Sequence, residues 1–119
     1  MWLGLGVVAL VAIMMVVVGW MGLTGSLPRN HVAGIRTRFT LSSDDAWQAT
    51  HRAAAPYLIF GGVAAAMAAV AFLPFAAAGK LPPAVAGVAT VVAAAVVGVS
   101  AMLGWRNGTR AARRELGKP

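Results

Sequence analysis

Residues 30–52 read NHVAGIRTRFTLSSDDAWQATHR, and this polar stretch decides the fold because of what flanks it. With Arg29 just before it, the stretch accounts for four of the ten basic residues, and it holds two of the three acids and both histidines. Elsewhere charge almost vanishes: none lies between Met1 and Pro28, none between Ala53 and Gly79, and none between Leu81 and Trp105. Each gap exceeds the ~20 apolar residues that a helix needs to cross a ~30 Å hydrocarbon core. A mean hydropathy of +0.78, with 11% charged residues, also separates the chain from ordinary soluble domains. The expectation is an all-α membrane protein forming a single membrane domain over 1–119. Its transmembrane helices fall at about 2–24, 53–78 and 83–105. A structured loop over 25–52 carries a short amphipathic helix, and a basic tail covers 106–119.

Working outward, the first span is apolar on every side, as lipid and neighbouring helices require. Trp2 and Trp20 sit near its ends as interfacial anchors. Gly19, Gly22 and Gly25 weaken the helix, and Ser26, Pro28 and Asn30 end it. The N-terminus lacks the basic region of a secretory signal and its apolar run is long, so a retained span is expected. In the loop, Gly34 permits a tight bend. Ser42 or Ser43 caps a short helix with Asp44 and Asp45 in its first turn, where carboxylates favour the exposed N–H groups. Trp47, Thr50, His51 and Ala54 then share one face, which could lie on a membrane surface with Trp47 as the buried anchor.

Pro56 either occupies the first turn of the second span or kinks a helix continuous with the capped one. Gly61, Ala65 and Ala69 in that span, and Ala86, Thr90, Ala94 and Gly98 in the third, recur every four residues as small ridges that allow close helix packing in lipid. Pro83 suits the first turn of the third span. Arg106, Arg110 and Arg113 or Arg114 keep helical spacing, which continues this helix into water with a basic stripe.

Loop and tail together hold nine of the ten basic residues, and the other connection holds only Lys80. The positive-inside rule therefore predicts loop and tail in the cytoplasm and the N-terminus outside. The same rule explains a net charge of +7 without nucleic acid. There is no cysteine, hence no disulfide or thiolate chemistry within the chain.

No catalytic pattern emerges. Asp44 and Asp45 are adjacent and diverge on a helix. His31 and His51 lack the short ligand spacing of a zinc motif. Ser42 and Ser43 before His51 make no nucleophile elbow, and Gly34 is alone, without a phosphate loop. No acid lies within a span to serve a cation transporter. The expectation is a non-enzyme with no metal and no cofactor. Arg36, Arg38 and Arg52 offer donor forks for carboxylates, carbonyls or phosphates. Asp44 or Asp45 is expected to pair with Arg36 or Arg38, and His51 to share the face of Trp47.

The loop resembles the SdpI family of bacterial membrane proteins. The resemblance is carried by Asn30, by the GIRT of Gly34, Ile35, Arg36 and Thr37, by Thr40, Leu41 and Ser43, by Trp47, and by the His51–Arg52 pair. It implies a multi-pass protein of the bacterial inner (plasma) membrane, related to an immunity protein that protects a producing cell from a secreted killing peptide and can sequester a repressor at the membrane. These motif residues are the candidate site. The leading expectation is resistance to a membrane-active peptide through a recognition surface on the cytoplasmic loop. The alternative is an accessory or assembly subunit of a larger membrane complex. Expected partners are membrane lipid and either a protein partner or further copies of the chain, with no nucleic acid.

Overall fold

The structure is a computed structural model that describes residues 2–117. Three helices, α1 (Trp2–Thr24), α2 (Asp44–Ala77) and α3 (Pro83–Glu115), make up almost all of it, and no strand occurs among the described residues. Each is long and apolar enough to cross a membrane. The long axis of the molecule is 54 Å, so the helices outrun a ~30 Å hydrocarbon core.

α2 is the mast of the bundle. It packs along both α1 and α3, while those two touch each other little. Its 34 residues rise about 51 Å, enough to span the bilayer and project well beyond it. The expected short amphipathic helix does not exist as a separate element: residues 44–52 are the opening turns of α2 itself. Pro56 therefore sits inside the helix, where it removes the N–H that would bond the Arg52 carbonyl. Continuity across it is maintained by packing: Ala54, Ala55 and Leu58 around it are all buried.

Small residues set the helix spacing. A Cβ added to Gly62 would come within 2.8 Å of the Ala12 carbonyl oxygen, and one on Gly61 would overlap the Ser100 side chain. The Gly61, Ala65, Ala69 ridge is buried as its spacing predicts. The proposed α3 ridge is only half right, because Ala86 is buried but Ala94 and Gly98 are exposed. The residues that α3 actually buries are Ala86, Ala93, Gly104, Gly108 and Ala112. A strict fourfold row advances about 40° per step around a helix of 3.6 residues per turn, so three steps from Ala86 carry Gly98 off the contact face. Gly19 and Gly22 likewise do not weaken α1, which runs unbroken to Thr24. They mark places where it packs closely on α2, near Ile59 and His51 respectively. The turn out of α1 falls at Gly25, whose φ of 75° suits the left-handed C-terminal position.

α3 starts at Pro83 in its first turn and continues ten residues past Trp105, so Arg106, Arg110, Arg113 and Arg114 all lie on helix. Lys118 lies outside the described residues.

These contacts separate two kinds of glycine. Gly98→Ala and Gly87→Ala, with no neighbour within 4 Å of the added methyl, should raise thermal stability in detergent by up to about 1 kcal/mol through helix propensity. Gly62→Ala and Gly108→Ala, which press on the backbone carbonyls of Ala12 and Thr50, should lower it.

Candidate functional site: the locked loop at one end of the bundle

The connection between α1 and α2 contains one short 3-10 turn, Thr40–Ser42, and otherwise bends and irregular chain. Its backbone groups must therefore find partners one by one. Asn30 starts this by accepting from the Val32 and Ala33 N–H groups through Oδ1 and donating to the Pro28 carbonyl through Nδ2, which folds residues 28–33 into a tight loop. Gly34 follows with φ of 107°, a conformation open to glycine and strained for other residues.

The Ile35 peptide units are then clamped from both sides. The Ile35 N–H donates to His51 Nε2 at 2.8 Å, and the Ile35 carbonyl accepts from Thr40 Oγ1 at 2.7 Å. Thr40 is fully buried, and its hydroxyl oxygen also accepts from the Thr37 N–H at 2.8 Å. One threonine thus closes the turn that ends the GIRT segment. Leu41 extends it, donating its N–H to the Thr37 carbonyl and accepting from Arg29 at its own carbonyl.

Trp47 and His51 are the fixed side of this clamp, one turn apart on α2 and both fully buried. Their rings lie 4.1 Å apart between centroids, as their shared face predicts. Trp47 Nε1 donates to the Leu27 carbonyl at 2.9 Å, tying the end of α1 to the start of α2. Trp47 is thus buried in protein, which corrects its expected role as an anchor at a membrane surface. The Trp47 carbonyl can only accept, so His51 Nδ1 carries the proton of the 2.8 Å bond between them. This leaves Nε2 as the acceptor for Ile35. Both nitrogens of the neutral ring are therefore occupied, with no lone pair left for a metal or a nucleophile. Burial holds the His51 pKa below its ordinary value, outweighing the bond to the Trp47 carbonyl that acts in the opposite sense.

Glycines on both sides make room for this histidine. A Cβ on Gly34 would lie 2.7 Å from His51 Nε2, and one on Gly22 would lie 2.9 Å from His51 Cβ. Ser43 caps α2 by accepting from the Ala46 N–H at 3.0 Å, ahead of Asp44 and Asp45, as predicted.

The expected pairing of Asp44 or Asp45 with Arg36 or Arg38 is not found. Asp44 pairs with Arg29 at 3.4 Å, while Arg36 turns back to donate to the His31 carbonyl. The tight turn at Asn30 brings Arg36 to His31, and Arg29, at the base of the loop, is left beside the start of α2. Arg52 points the other way and pairs with Glu115 at 3.7 Å, and the Arg113 guanidinium sits 4.3 Å over the Phe39 ring. The extension of α3 is thus strapped to the loop. Leu27, Arg29, Phe39 and Glu115 were missed in the sequence; a backbone acceptor and a long-range ion pair leave no local pattern to find.

The motif residues therefore divide. Asn30, Gly34, Ile35, Thr37, Thr40, Leu41, Ser43, Trp47 and His51 bond or pack within the loop and its junction with α2. Arg52 bridges two helices. Arg36 stays exposed at the tip beside His31 and Val32, and Arg38 is exposed two residues on.

These features define a multi-pass α-helical membrane protein whose first connection is a hydrogen-bonded plug seated on the second helix. The family model of the SdpI/YfhL protein family matches residues 26–104, from the loop through the apolar part of α3, and the chain belongs to that family. Neither a curated protein nor a solved structure matches significantly.

Two outcomes follow from the clamp. Thr40→Val removes an acceptor and a donor from a dry site and should cost roughly 2 kcal/mol, read as a loop cleaved by trypsin after Arg36 and Arg38 at least tenfold faster. Acid should also release the loop. A depressed histidine pKa means the folded state binds fewer protons than the unfolded one. The stabilisation is then complete above the ordinary value of about 6.5 and is lost as pH falls through the folded pKa. In a variant keeping Trp47 as sole tryptophan, its emission should shift to the red over that range, and His51→Gln should abolish the transition.

Proposed function

We propose that this protein protects a bacterial cell against a membrane-active peptide, acting without catalysis from the inner membrane, with loop and tail in the cytoplasm. The observation that carries the reading is the contrast within the loop. Its base is tied down by the bonds of His51, Thr40 and Trp47, while its tip offers Val32, 86% exposed, next to His31, whose carbonyl the Arg36 guanidinium bonds. A rigid base that presents one apolar and one cationic side chain suits recognition of an amphipathic peptide, because little ordering entropy is lost on binding. Family membership supports it, since the resemblance runs through an immunity protein. The orientation rests on nine of the ten basic residues lying in the loop and tail, whose ends meet through Arg52–Glu115 and Arg113–Phe39.

A second reading, an accessory subunit or a homo-oligomer, draws on α3. Ala94 and Gly98 are exposed small residues one turn apart, of the kind that lets helix backbones approach closely in lipid.

Deleting the gene should sensitise cells to at least one peptide in a broad membrane-active panel. Wild type should restore resistance, and the double variant Val32→Ser, Arg36→Ala should not, although its trypsin-independent loop probe, the Trp47 emission, is unchanged. Unchanged sensitivity across the panel, together with a stable larger complex in mild detergent, would favour the accessory reading. A reporter that works only outside the membrane should be inactive when fused at residue 119, and activity there would overturn the orientation.

A further inference from the structure

Because α1 and α3 flank α2 without closing on each other, a groove remains between them. One part, about 320 Å3, is walled by Val11, Met14 and Val18 of α1 and by Val97 and Ala101 of α3. Through Val11 and Val97 it continues into a second cavity of about 170 Å3 that reaches Val7 and Ala94. From Val7 to Val18 the helix rises about 16 Å. That is the depth of one leaflet, half of a ~30 Å hydrocarbon core, and so the reach of a single acyl chain.

The groove has one polar end. The loop backbone at Val32, Ala33, Gly34 and Ile35 lines it there, and Arg36 follows directly, exposed and bonded to the carbonyl of His31, the residue that precedes the lining Val32. That bond uses one nitrogen of a five-donor fork. A partner helix is too large an occupant: a ~10 Å cylinder over this length displaces more than about 1,200 Å3, over twice what the two cavities offer.

We propose that the groove holds one acyl chain of an anionic phospholipid whose headgroup phosphate is bound by Arg36. The loop clamp thereby serves a lipid site as its headgroup end, and the site stands whether or not the protein confers peptide resistance. The test titrates the full chain in non-ionic detergent with phosphatidylglycerol and with phosphatidylcholine of identical chains, read by native mass spectrometry. One phosphatidylglycerol should bind about fivefold or more tighter than phosphatidylcholine, the preference expected of one arginine near a headgroup. Arg36→Gln should erase that preference. Ala101→Phe, or Val97→Phe should the first not fold, should weaken both lipids by filling the groove. Two matched controls, Arg110→Gln and Val91→Phe on the exposed α3 surface outside the groove, should change nothing. Equal affinity for the two lipids in wild type, an equal loss with Arg110→Gln, or indifference to groove filling would each overturn the proposal.

Discussion

The peptide units on either side of Ile35 are the constraint on which the loop depends. Irregular backbone that is packed away from water must have its polar groups satisfied one by one. Here the satisfaction comes from two buried side chains: His51 accepts the N–H and Thr40 donates to the carbonyl. Neither bond works without the surroundings. Gly34 must be glycine for both its φ and its closeness to the imidazole, and Gly22 must lack a side chain for α1 to pass the same histidine. The His51 tautomer is in turn set by the Trp47 carbonyl, and Trp47 itself is held by Leu27. A connected network of this kind is worth more intact than its separate bonds, since any member removed strands a buried partner.

The clamp is also what makes α2 one long helix. Its first turns could have ended at Pro56, but they bury Trp47, Thr50 and His51 against α1, the loop and α3. Tertiary burial thus carries the helix through a proline that alone would favour a break. The same projection gives α3 something to lean on beyond the apolar region, where Gly108 meets Thr50 and Glu115 meets Arg52. One junction therefore organises the loop, the length of the central helix and the end of the third. The arginine at the tip remains available for chemistry with something outside the chain.

Much of this was legible in the sequence. Uncharged gaps longer than a bilayer needs revealed three helices, because lipid solvation is a demand on composition. Ser42 or Ser43 ahead of Asp44 and Asp45 announced a helix start, and the three- and four-residue spacing of Trp47, Thr50, His51 and Ala54 announced a common face. What that face met was not legible. Amphipathic spacing is the same for a helix on a membrane surface and one buried under a loop, so Trp47 was assigned to the wrong environment. Glycine in α1 read as weakness because propensity is local, whereas its role at Gly19 and Gly22 is set by α2. The partners of Arg29, Arg36 and Asp44 depended on where a tight Asn30 turn aimed the chain, which spacing does not encode.

The central claim is that His51 holds the loop through the Ile35 amide, and hydrogen exchange at that single amide tests it most directly. In detergent-solubilised wild type near pH 7.5, the Ile35 N–H should exchange far more slowly than that of exposed Val32 after correction for intrinsic rates. In His51→Leu, which keeps the apolar bulk but has no acceptor, protection at Ile35 should be lost while the middle of α2 stays protected. An Ile35 amide that exchanges freely in wild type, or remains equally protected in His51→Leu, would contradict the account.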